Sequence, residues 1–70
     1  MKKFHIESAP EADGRWLAEV PELPGVLCYG ATADEAMSKA ETLALRVLAE
    51  QLESGERKPI EISFLLAKAA

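Results

Sequence analysis

The stretch VPELPGVLCYGATADEA, residues 20–36, holds a chain reversal, a short strand and a helix start in one continuous run. Pro21 and Pro24 push the residues before them, Val20 and Leu23, away from the helical region. Pro24-Gly25 supplies the residue types for the two central positions of a type II turn, the glycine taking positive φ. Beyond that reversal, residues 26–29 are a short apolar run bounded by Gly30, which predicts a strand. Thr32 then offers a side-chain oxygen to the next backbone donors while Glu35, three residues on, can reach back. This is a capping box, and Asp34 also suits the positive end of the helix dipole. A helix beginning near Ala33 follows.

Towards the amino terminus, residues 15–20 place Trp16, Ala18 and Val20 on one side and Arg15, Leu17 and Glu19 on the other, a strand with its tryptophan side in the core. Asp13-Gly14 closes the turn region 9–14 and marks a hairpin. Residues 3–8 alternate as a half-buried strand, with Phe4 and Ile6 opposite Lys3, His5 and Glu7. Towards the carboxyl terminus, Ala36, Met37, Ala40, Leu43, Ala44, Val47, Leu48 and Leu52 form one apolar stripe on a helix running to about Ser54. Glu35, Ser38, Thr42, Arg46, Glu50 and Glu53 form its solvated face. Gly55 suits the left-handed position past the helix end, and Pro59 confirms the stop. In the last strand Ile60, Ile62, Phe64 and Leu66 alternate with Glu61, Ser63 and Leu65, and the tail AKAA reads as a frayed end.

The order is β-β-β-α-β, an α+β fold in which residues 1–70 make one domain. A helical crossover sets the third and fourth strands parallel, and the right-handed rule leaves few topologies, of which spatial order 3-2-1-4 is preferred. One helix covers one sheet face. The other face carries His5, Arg15, Leu17, Glu19, Leu27 or Tyr29, and Leu65, and several large apolar groups on a polar face suggest a contact surface. The candidate partner-binding residues are His5, Arg15, Leu17, Glu19 and Tyr29.

A 70-residue chain buries only about 60% of the surface its unfolded form exposes, so self-association as a dimer or tetramer is expected. With 49% apolar and 29% charged residues the composition excludes a disordered chain. A net charge of -4 argues against a nucleic-acid partner and suits a basic protein. Cys28 is the single cysteine, which excludes an internal disulfide or a cysteine metal framework; it reads as a small buried strand side chain in a reducing cytosol. The first ten residues, MKKFHIESAP, lack the apolar run of a signal peptide, and no stretch approaches the roughly 18 apolar residues of a membrane span. A cytoplasmic protein with no membrane contact is expected.

Catalytic machinery is sparse. His5 is the one histidine, on the outer strand face where a plain exposed side chain is the simpler reading. The motifs of serine hydrolases, zinc sites and phosphate loops are absent, and a turn or cap explains each glycine. Glu7 and Glu19 could bind a divalent cation between adjacent strands, or face Lys3, His5 and Arg15 in surface pairs. Two carboxylates are thin support for metal chemistry, so no catalytic residue, metal ligand or cofactor is assigned. No second helix follows the first, which leaves no helix-turn-helix.

Asp13, Gly14, Trp16, Ala18, Val20, Pro21, Leu23, Pro24, Gly25, Gly30, Thr32, Glu35 and Ala36 together follow the pattern D-G-x-W/Y-x-A-x-V-P-x-L-P-G, then G-x-T, an acidic pair and alanine. In this the chain resembles the HicB family of antitoxins over nearly its whole length. The resemblance implies a truncated ribonuclease H-like fold without nuclease activity. It also implies a role in a type II toxin-antitoxin system: binding and neutralising a HicA-type toxin, a small basic protein that cleaves messenger RNA. Two departures stand out. Many family members carry a carboxy-terminal DNA-binding domain that represses their own operon, and none is expected in these 70 residues; Ala31 stands where the family often has an acidic residue. Two other functions stay open: an orphan homo-oligomeric interaction domain without a toxin, and a metal-dependent nuclease using Glu7 and Glu19.

Overall fold

The computed structural model describes residues 2–68. Strand β1 spans Lys2–Pro10, β2 Trp16–Glu19 and β3 Leu27–Gly30; helix α1 spans Ala33–Glu53, and β4 Ile62–Lys68. They form a four-stranded mixed sheet in the order β3-β2-β1-β4, with β1 antiparallel to β2, β2 antiparallel to β3, and β1 parallel to β4. This is the expected α+β arrangement with spatial order 3-2-1-4.

The turns follow from residue chemistry. In the hairpin, the Gly14 N–H donates to the Glu11 carbonyl (3.0 Å) and the Glu11 N–H to the Arg15 carbonyl (2.7 Å). Gly14 has φ +91°. Asp13-Gly14 therefore sits at the end of a four-residue turn, with the glycine in the left-handed bulge position. The central loop is two successive turns: the Leu23 N–H donates to the Val20 carbonyl and the Val26 N–H to the Leu23 carbonyl, each at 3.0 Å. A proline opens each turn, and Gly25 at φ +90° gives the second the type II form.

Helix α1 is capped as its sequence predicts: the Glu35 N–H donates to Thr32 Oγ1 at 3.1 Å. Its return contact falls one residue earlier than a standard box, because Glu35 Oε1 accepts from the Ala31 N–H at 3.2 Å. That bond, then the Lys39 ammonium, hold the Glu35 carboxyl below its ordinary range.

The core comprises Phe4, Ile6, Ala18, Val20, Leu23, Val26, Ala33, Ala36, Met37, Ala40, Ala44 and Leu48, with Trp16, Leu43, Val47, Ile62 and Phe64 partly buried against it. Four of the six buried helix residues are alanines, which lets α1 lie close on the sheet. The closest approach is at Gly30, whose backbone is not in the left-handed region. A Cβ there would stand 2.6 Å from the Ala36 nitrogen and 3.0 Å from its Cα. Gly30 is thus needed for helix-sheet packing, which corrects its reading as a simple turn residue.

Several other expectations change. Pro10 belongs to β1 opposite Trp16 rather than to the turn; its missing N–H faces the side where β4 pairs no further than Ser8, so no ladder bond is lost. Leu52 is exposed, because the stripe turns away from the sheet in the last helical turns. Cys28 is half-buried at the margin of the sheet. Ile60 precedes the last strand, which runs to Lys68. Ala67 and Lys68, read as frayed tail, pair with Glu7 and Ser8 of the long β1; Ala69 and Ala70 lie outside the described residues.

Candidate functional site

The open face of the sheet collects the side chains that point away from α1. Because residues directly opposite in a sheet share a face, the register groups them. Tyr29 lies opposite Leu17, and Leu17 opposite Ala9. One step along, Leu27 lies opposite Glu19, Glu19 opposite Glu7, and Glu7 opposite Ala67. His5 lies opposite Leu65. The alternative between Leu27 and Tyr29 resolves to both, since they are two residues apart on β3 and both are exposed.

Four of the five candidate residues come together. The Arg15 guanidinium stacks over the Tyr29 ring at 4.1 Å, beside Leu17 and one step from Glu19. Arg15 is aimed by Asp13, which accepts from its main-chain N–H (3.0 Å) and from its Nε (2.7 Å). Those bonds, the backbone one first, hold the Asp13 carboxyl below its ordinary range. His5 stands apart, on the far side of Glu7.

The position of His5 is set by Glu22, which the sequence did not point to. Beyond Glu19 the chain reaches Pro21, which has no N–H for the ladder, and β2 leaves the sheet. The His5 N–H would then lose its partner. Glu22 Oε1 takes it at 2.9 Å, and the other carboxylate oxygen bonds His5 Nδ1. The His5 backbone bond is the main cause, and the imidazole a further one, of a Glu22 carboxyl held below its ordinary value of 4.5. The sequence signal for this was available: an acidic residue directly after Pro21, where a strand must end.

Glu7 and Glu19 are the unusual feature of the face. They lie directly opposite one another, an arrangement of like charges that weakens a sheet. Among the described residues neither has an ion-pair partner: His5 is engaged by Glu22, Arg15 by Asp13, and Lys39 by Glu35. The alternative pairing with Lys3, His5 or Arg15 is not seen among the described residues: Glu22 bonds His5 and Asp13 bonds Arg15. Together with Ala9 and Leu17 the two carboxylates line a shallow depression of about 250 Å³. Among the described residues no group of three metal-ligating side chains occurs.

A larger depression, about 560 Å³, lies at the carboxyl end of α1 and is lined by Val47, Glu50, Gln51, Glu53, Ser54 and Glu56. Ser54 Oγ there donates to the Gln51 carbonyl, with no histidine or cation among the lining residues to activate it. No helix among the described residues is long and apolar enough to cross a membrane.

No family model, no curated protein and no solved structure matches this chain.

Proposed function

We propose that this chain is an antitoxin of the HicB type, a non-enzymatic cytoplasmic domain that binds a small basic ribonuclease through its open sheet face and blocks RNA cleavage. The observation that carries this reading is the unpaired Glu7–Glu19 couple, set between Leu17 and Leu27 on a face that α1 leaves uncovered. Two adjacent carboxylates with no cation of their own lower the cost of receiving an arginine or lysine from outside, and the flanking apolar side chains supply area to desolvate that contact. The Arg15–Tyr29 stack makes a rigid polar-aromatic rim beside it. The strand order is compatible with a truncated ribonuclease H-like domain, and the net charge of -4 favours encounter with a basic partner.

The test is recovery of the tagged chain from its own cells, with identification of what co-purifies, followed by an RNA-cleavage assay of that protein with and without excess chain. The proposal expects a small basic ribonuclease inhibited by the wild type and released by Glu19→Lys. A ribonuclease that cleaves equally well in the presence of excess chain would contradict it. A second function, an interaction domain assembling only with itself, is favoured by the exposed apolar edge at β4 and is the outcome if copies of the chain alone are recovered.

A further inference from the structure

β4 is an edge strand whose outward side is open. The Lys2 N–H donates to the Glu61 carbonyl at 2.8 Å, and Lys2 lies opposite Ile62 in the parallel register. Odd-numbered residues of β4 therefore direct their N–H and C=O groups to β1, and Ile62, Phe64, Leu66 and Lys68 direct theirs outward. Among the described residues no group pairs with that outward edge. Ile62 and Phe64 are half-buried against the core, but beyond them the apolar side chains are poorly covered: Leu65 is 43% exposed and Leu66 57%. Helix α1 packs on β1, β2 and β3 and does not close over this strand. Its flank away from β3 carries Leu45 and Leu52, both exposed.

The opposite edge is managed differently. β3 has four residues, and its outward Tyr29 carbonyl receives the Lys39 ammonium at 3.4 Å. A short strand with a lysine over its open carbonyl resists pairing. The seven residues of β4 carry no charge before Lys68 and have no such guard.

We infer that two copies of this chain pair antiparallel through the outward edges of β4 to form one continuous eight-stranded sheet. Closed two-fold symmetry requires the axis to stand perpendicular to the sheet, so the register is centred on a residue. Centring on Leu65 uses the whole strand: Leu65 meets its own copy on the open face, and Phe64 meets the partner copy's Leu66 on the helix face. The outward-facing residues then fall opposite one another and exchange about eight main-chain hydrogen bonds. Charge favours a second copy as the occupant. Two chains of net charge -4 approach most easily on surfaces poor in charge; β4 carries none before Lys68, whereas at the β3 edge Lys39 reaches over the open Tyr29 carbonyl. A basic partner finds its counter-charge instead at Glu7 and Glu19. Pairing leaves that couple uncovered, with Leu45 and Leu52 of both copies lining a groove between the two helices.

Sedimentation velocity of the purified chain alone tests this independently of the antitoxin reading. The wild type is expected to sediment at twice the chain mass at tens of micromolar. Leu66→Lys is expected to give a monomer with an unchanged circular dichroism spectrum, and Leu27→Lys on the other edge to remain a dimer. Register is tested by cysteine cross-linking in a Cys28→Ser background: Leu65→Cys is expected to form an intermolecular disulfide under mild oxidation, because a facing non-hydrogen-bonded pair meets disulfide geometry, and Leu66→Cys is not. A wild type that stays monomeric up to millimolar concentration would overturn the inference. So would a dimer that survives Leu66→Lys but is broken by Leu27→Lys, or a disulfide at position 66 and none at 65.

Discussion

The two edges of this sheet are built from opposite materials. At β3 the helix backbone lies directly on the strand, Gly30 removes the side chain that would hold it off, and Lys39 reaches over to the open carbonyl. At β4 the strand is longer, α1 does not cover it, and leucines stand in solvent. The first edge is closed by local packing, while the second stays open. In a small domain with one helix the two conditions are linked: a helix seated tightly over β3, β2 and β1 cannot also cover β4.

The sharpest way to break this contrast is one alanine substitution at each edge. Gly30→Ala drives a Cβ to 2.6 Å from the Ala36 nitrogen and is expected to cost about 2–3 kcal/mol in urea denaturation, as overpacking does. Leu66→Ala on β4 removes far more volume. Measured at concentrations where the chain is monomeric, it is expected to stay within about 0.5 kcal/mol, as for an exposed position. Equal losses at the two positions would remove the distinction.

Smaller effects sharpen the same picture. Thr32→Ala removes the cap that starts α1 beside β3 and is expected to cost about 1 kcal/mol in the same denaturation assay. Glu22→Gln tests how β1 is sealed where β2 leaves it. The folded Glu22 carboxyl sits below its ordinary 4.5, so its stabilisation is present in full above that value and lost as pH falls through the lowered one. The wild type should therefore exceed the variant in thermal midpoint at neutral pH, and the two should converge in acid. Glu7→Gln, midway between the edges, relieves the facing carboxylates and is expected to raise stability by about 0.2–0.5 kcal/mol. A fall in stability there would mean that Glu7 has a cationic partner after all.

Much of this was legible in the residues. Pro21, Pro24, Gly25, Thr32 and the alternation in residues 3–8 are local signals, and local signals determine turns, caps and faces. The strand order followed from one crossover and its handedness. The close approach at Gly30 was not legible, since it depends on where Ala36 comes to rest six residues later. Leu52 misled because a helical stripe gives direction around the axis and not how far the sheet extends beneath it. Leu17, Glu19 and Tyr29 were placed correctly on the open face by alternation. The pairing of His5 with Glu22 joins positions 17 residues apart and needed knowledge of where β2 departs. The isolation of Glu7 and Glu19 likewise became visible only once Asp13 and Glu22 were seen to hold Arg15 and His5.

The most direct test of the division between the edges is amide hydrogen exchange, followed residue by residue in nuclear magnetic resonance spectra at low and high protein concentration. The amides of Phe64 and Leu66 should become protected as concentration rises, while those of Leu27 and Tyr29, which face outward on β3, should exchange rapidly at both. If Phe64 and Leu66 exchange as fast as Leu27 and Tyr29 at every concentration, β4 is not a pairing edge and the account of the sheet is wrong.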